Sequence, residues 1–163
     1  MTDERMGDDL WRVLAQLPKG TGVVFRHYGL AKPARAELFG RVARIARARR
    51  LVLVVAGADR LGSACGRHGR DRRRTRGLRT WPAHDAREVI AGRRAGADLL
   101  FVSPLFATAS HPGARPLGLV RAANLARLAP GRAIALGGVG PQHERRLSAA
   151  GFAGWAAIDA WRG

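Results

Sequence analysis

The chain is poor in sulfur, lysine, acid and aromatics. Of its 163 residues only Cys65 carries a thiol, which excludes a disulfide framework and a cysteine-based zinc site. That usage points to a reducing, cytoplasmic setting. No apolar run approaches the roughly 18 residues of a membrane span, and Thr2-Asp3-Glu4-Arg5 is too polar to open a secretory or transit signal. No membrane partner is expected. Acidic residues number 12 against 29 basic ones, for a formal net charge of +17. All the basic residues except Lys19 and Lys32 are arginine, alongside abundant alanine and glycine, the skew that GC-rich coding produces. The basic count therefore says little by itself about a partner. Its densest stretch, Arg67 to Arg79, holds seven arginines with almost no aromatic residue on which a base could stack. It reads first as a solvated loop, second as a site for a phosphorylated ligand or acidic partner, and last as a nucleic-acid contact.

What is present is an alternation of helical and strand patterns. Leu10, Trp11, Leu14 and Leu17 fall at helical spacing over Asp9 to Leu17, and Pro18-Lys19-Gly20 ends the run. A buried strand is expected at Gly22 to Arg26, a helix at Ala34 to Arg49, and the plainest strand at Leu51 to Val55. A short helix is expected at Ala58 to Cys65. The strand within Gly66 to Arg70 reads as degenerate, too polar to be buried. The rhythm then resumes with a weak strand at Gly77 to Trp81 and a helix from Asp85, its N-cap, to Ala95, stopped by Gly96. A strong strand follows at Asp98 to Ser103, then a long loop from Pro104 to Pro116 of the kind that carries function. Helices at Gly118 to Leu128 and Pro141 to Ala149 flank a strand at Arg132 to Leu136, and a last strand spans Gly154 to Ile158. No linker interrupts the series, so residues 1–163 are expected to form one domain. The βα alternation implies a parallel sheet, closed as a barrel if the weak strands are real.

Short apolar runs that end abruptly in small or polar residues deliver functional groups at the C-terminal ends of parallel strands. Gly137-Gly138, directly after such a run and one strand before the end of the repeat, stands where (β/α)8 barrels hold phosphate on bare backbone amides. A tight strand-to-helix turn is the plainer reading of the same pair.

Several segments resemble the thiamine phosphate synthase superfamily. Met1-Thr2-Asp3-Glu4-Arg5 is similar to the "TD-R" end of its first strand, and Phe25-Arg26 to its strand-two motif. Gly96-Ala97-Asp98 with Ser103-Pro104-Leu105-Phe106-Ala107-Thr108 resembles "GAD...GP-F-T-T-K", and Ala135-Leu136-Gly137-Gly138-Val139 resembles the "AIGGI" phosphate loop. The resemblance implies a short (β/α)8 TIM barrel whose first strand is truncated, since members carry apolar residues before the "TD", and whose fourth-strand region is degenerate. It also implies a transferase of thiamine biosynthesis that joins a pyrimidine diphosphate to a thiazole phosphate and releases diphosphate with Mg2+ assistance. Its partners would be small phosphorylated substrates.

Position by position, the resemblance assigns Arg26 and His111 to the diphosphate, Asp59 and Asp71 to the metal, and Thr108 and Ser110 to the leaving or acceptor phosphate. His84 falls at the substrate-binding histidine of an "S-x-H" motif. Gly137 and Gly138, with Ile158 and Asp159 at the end of the last strand, fall at the thiazole-phosphate site. Five positions depart from the pattern: Val24 and Tyr28 replace a Gln and a Lys beside Arg26, Pro82 replaces the Ser before His84, His111 replaces a Lys, and Asp159 replaces a phosphate-binding Ser. Each residue also has a plainer reading: a rim salt bridge for Arg26, loop or capping carboxylates for the aspartates, solvated loops for the histidines, and turn hydrogen bonds for Thr108 and Ser110. Two other functions fit the pattern. One is a non-catalytic or repurposed barrel that binds a phosphorylated metabolite. The other is a thiazole tautomerase-like isomerase, whose acid-base His aligns with Pro104.

Overall fold

The computed structural model describes residues 1–57, 61, 62, 64–71, 77–108, 113–158 and 160. It divides into two compact units, Met1–Leu78 and Arg79–Trp161. In the first, the apolar stripe of α1 (Asp9–Gln16) buries Leu10, Val13 and Leu14. Strand β1 (Gly22–Phe25) follows the Pro-Lys-Gly turn. Helix α2 (Lys32–Arg49) takes a proline into its first turn, where no intrahelical hydrogen bond is lost, and stops at Arg50 in the left-handed region at φ 56°. The chain then enters β2 (Val52–Ala56) at once. Strands β1 and β2 pair in parallel, Gly22 opposite Val52 through Phe25 opposite Val55.

Strand β3 (Gly66–His68) corrects one expectation. It pairs in parallel with β2, Val54 opposite Gly66 and Ala56 opposite His68, and both Gly66 and His68 are buried. Its determinants are glycines rather than apolar residues. A Cβ on Gly66 would collide with the carbonyl of Leu78, and one on Gly77, at φ 89°, with that of Cys65. Only bare backbone allows the Leu78 amide to reach the Cys65 carbonyl at 2.8 Å. The helix expected at Ala58 to Cys65 falls partly outside the described residues.

The second unit repeats strand and helix more regularly. It contains β4 (Leu78–Ala83), α3 (Ala86–Arg94), β5 (Leu99–Val102), α4 (Gly118–Arg127), β6 (Ala133–Leu136), α5 (Glu144–Ala149) and β7 (Gly154–Ala156). β4 through β7 pair in parallel, in chain order. Asp85 caps α3 by accepting the Glu88 amide at 2.8 Å, while the Glu88 carboxylate accepts the His84 amide at 2.7 Å. Leu100 and Trp81 pack with Val89 in one buried cluster, and Val102, Leu105, Ala135, Val139 and Leu147 in another. A single helix expected at Pro141 to Ala149 is a 3-10 turn, Pro141–His143, running into α5.

Within each unit strand order follows chain order, β1 to β3 in the first and β4 to β7 in the second. The described residues supply seven strands, not eight, so the closed eight-stranded barrel expected from the sequence is not what they form. Where the resemblance set the first strand, the Thr2 amide bonds the Val24 carbonyl at 2.9 Å before Glu4–Met6 turns as a 3-10 helix. No helix among the described residues is long and apolar enough to cross a membrane.

Candidate functional site

Parallel strands place the residues that follow them along one edge of the sheet in each unit. In the first unit, Arg26 leaves the end of β1 with its side chain mostly covered. Its Nη1 lies 3.8 Å from Asp3 Oδ2, and its guanidinium sits 5.7 Å from the centre of the Tyr28 ring. Asp3 is shared with Arg5, whose Nε donates to Oδ1 at 2.8 Å. Burial would raise the Asp3 pKa, but the Arg5 hydrogen bonds and the charges of Arg5 and Arg26 outweigh it and hold the carboxyl below its usual range. The salt-bridge reading of Arg26 is thus realised, and the cation still stands at the strand end.

Around Arg26 the structure assembles residues that the sequence reading did not single out. The Thr2 hydroxyl accepts the Arg26 amide at 3.1 Å and pairs with His27 Nδ1 at 3.0 Å. His27 is buried at φ 39°, its ring stacked 5.0 Å from Phe25, and burial is the main cause of its lowered pKa. Arg35, on α2 and only 3 % exposed, donates to the carbonyls of Arg26 (2.9 Å), His27 (3.1 Å) and Ala56 (2.7 Å). One guanidinium thereby ties the ends of β1 and β2. His68 ends β3. Burial first, then the charges of Arg26 and the terminal amine, lower its pKa to about 4 and keep the imidazole neutral at pH 7.

In the second unit, contacts run from the end of β4 to the end of β6. His84 Nδ1 lies 2.7 Å from the Ser103 carbonyl. A carbonyl only accepts, so Nδ1 carries a proton, and in the neutral imidazole Nε2 is the acceptor. Ser103 precedes Pro104 through a cis peptide bond. Pro104 then meets Gly137, where a Cβ would lie 2.9 Å from Pro104 Cα, and the Phe106 amide bonds the Gly137 carbonyl at 3.0 Å. Gly138, at φ 65°, has no room for a side chain either: a Cβ would strike the Ala107 carbonyl and lie 2.8 Å from Phe106 Cβ. Ala107, which Thr108 follows in the chain, therefore lies against Gly138.

Positive φ at 91° and 65° turns the backbone of Gly137-Gly138 out of the strand. Among the described residues, the amides of Gly137, Gly138 and Val139 donate to no protein acceptor. Successive unpaired amides in such a turn form a concave donor set for an anion. His143 completes this corner: its Nδ1 accepts the Gly140 amide at 3.1 Å and its ring lies 4.9 Å from Phe106. Ile158, past the end of β7, is buried.

Asp59, Ser110, His111 and Asp159 lie outside the described residues. Asp71 is exposed, its Oδ2 3.9 Å from Arg67 Nη1. Among the described residues no group of three His, Cys, Asp or Glu side chains could hold a metal ion. The described donor set does not fit Mg2+. His68 and His27 went unseen because their apolar surroundings come from β1, β2 and the N-terminal segment rather than from their own neighbours. Arg35 did leave a signal, a charge on the apolar stripe with Phe39, Val42 and Ala46.

The thiamine monophosphate synthase family matches residues 76–161, more than half of the chain. The chain belongs to that family. Two solved structures share the fold of this thiamine monophosphate synthase family member. The thiamine phosphate pyrophosphorylase from Pyrococcus furiosus superposes with a TM-score of 0.79 at 21% identity, covering 98% of this chain and 83% of that one. That from Bacteroides thetaiotaomicron gives 0.64 at 17%, covering 98% and 81%. At such identities the likeness establishes the fold. No curated protein matches the chain in sequence.

Proposed function

We propose that the chain joins a pyrimidine diphosphate to a thiazole phosphate and releases diphosphate, the thiamine phosphate synthase reaction. The observation that carries this reading is the turn at Gly137-Gly138. Its amides stand unpaired among the described residues, at the end of a parallel strand and against Phe106 and Ala107. Such donors suit the phosphate of the acceptor, while the departing diphosphate needs cations, a role for Arg26 and His111. Ser110 joins Thr108 as a hydroxyl donor, and Ile158-Asp159 flanks the acceptor phosphate. His84, held by Ser103, offers Nε2 to a substrate donor.

A second reading is a repurposed domain that binds a phosphorylated metabolite without turnover. It draws support from Arg26 already facing Asp3 and from Tyr28 standing where the family carries Lys. Nothing favours the tautomerase, since Pro104 occupies the position of its acid-base His.

Calorimetric titration with the thiazole phosphate tests the anion site. Wild-type protein should bind it, and Gly138→Val should lose at least tenfold in affinity while circular dichroism still reports a folded chain. Unchanged affinity in the folded variant refutes the assignment.

A further inference from the structure

We propose that the outer face of α2 is a docking surface for the phosphate backbone of nucleic acid, a role independent of the synthase reading. Arg41, Arg44, Arg47 and Arg49 of α2 and Arg50 just past its end are all exposed, with Arg49 also donating to the Leu17 carbonyl at 3.3 Å, and Glu37 is the helix's one acid. Among the described residues, none of the ion pairs engages Arg41, Arg44, Arg47 or Arg50. The acid nearest in chain on the facing helix, Asp9, is held by Arg12 at 2.9 Å. From Arg41 to Arg49 the row runs about 12 Å along the helix axis, at about 1.5 Å per residue. At its start the Arg41 guanidinium lies 4.2 Å from the centre of the Trp11 ring, which braces that cation against α1.

A row of unneutralised guanidiniums on one rigid helix repels itself and attracts a polyanion. The arginine fork matches phosphate oxygens two at a time. Ala36 and Gly40 before the row and Ala48 within it are exposed, Leu38 and Ile45 are half-buried, and Phe39, Val42 and Ala46 face inward. The face therefore has no fully exposed bulky apolar residue to sink into a bilayer, as an interfacial helix requires, and no exposed aromatic anchor for a protein partner. Phosphate contact is blind to sequence, so the expected ligand is any duplex. This differs from the Arg67 to Arg79 stretch, where base stacking was the missing feature; backbone binding needs none.

The test is fluorescence anisotropy of a 24-base-pair duplex of arbitrary sequence, titrated with the full chain at several salt concentrations. Two variants remove three charges each: Arg44→Gln/Arg47→Gln/Arg50→Asn on α2, and Arg87→Gln/Arg121→Gln/Arg145→Gln elsewhere. Circular dichroism confirms that each is folded. Each lost phosphate contact lowers the slope of log K against log salt by about 0.9. The α2 variant should therefore lose two to three units of slope and at least tenfold in affinity, with the other variant within threefold of wild type. Equal losses in the two variants overturn the proposal, as does failure of the wild type to bind duplex at 0.15 M salt. Binding to phosphatidylserine vesicles that the α2 variant alone loses, with duplex binding unchanged, overturns it in favour of a membrane.

Discussion

His68 gives the protein a pH-dependent stability whose size follows from its surroundings. Folded, its pKa is about 4, lowered from 6.5 mainly by burial and further by the charges of Arg26 and the terminal amine. Below pH 6.5 the unfolded chain binds a proton that the folded chain refuses, so acid favours unfolding. The stability contributed by the neutral imidazole is complete above pH 6.5 and is lost progressively as pH falls to about 4. At about 1.4 kcal/mol per pKa unit the whole effect is about 3 kcal/mol, of which about 2 kcal/mol goes between pH 7 and pH 5. His27, also lowered by burial, acts in the same direction. Urea unfolding at pH 7 and pH 5 measures it against His68→Gln, which is neutral at both. Between the two conditions the wild type should lose about 2 kcal/mol more than the variant. Equal losses would show that His68 does not resist protonation in the folded state and would refute the reasoning.

Arg35→Leu leaves the carbonyls of Arg26, His27 and Ala56 without that donor. At about 1–3 kcal/mol for each unsatisfied buried group, urea unfolding should show a loss of at least about 3 kcal/mol. Gly138→Ala combines a left-handed backbone with a collision at the Ala107 carbonyl and should lower stability by about 2 kcal/mol or more, read by thermal melting. His84→Asn retains a donor for the Ser103 carbonyl but removes Nε2. It should stay within about 1 kcal/mol of wild-type stability while kcat/KM falls about tenfold, and an unchanged kcat/KM would remove His84 from the site.

The parts of the fold that sequence made legible are those carried by local chemistry. Leu51 to Val55 read as the plainest strand and is one from Val52 on, and Asp85 marked the start of α3, where it accepts the Glu88 amide. Strand β3 was illegible because its requirement is space: Gly66 and Gly77 let neighbouring backbones touch, and hydropathy records nothing of that. At the candidate site, Gly137-Gly138 was legible as a motif, yet the structure adds that Pro104 to Ala107 packs so closely that glycine is needed for packing as well as for open amides. Arg26 was legible by its place at a strand end. Its partner Asp3 and the clamp from Arg35 were not, because each comes from a segment distant in sequence. The eighth strand failed for a related reason: a motif like "TD-R" marks where a strand ends, and here only one backbone bond from Thr2 stands beside β1.

The most direct measurement of the central claim is diphosphate release by the purified chain given the pyrimidine diphosphate, the thiazole phosphate and Mg2+. Release that requires both substrates, with thiamine phosphate formed in equal amount, is the predicted result. A folded chain that binds the thiazole phosphate but releases no diphosphate would contradict it and favour the repurposed, non-catalytic reading.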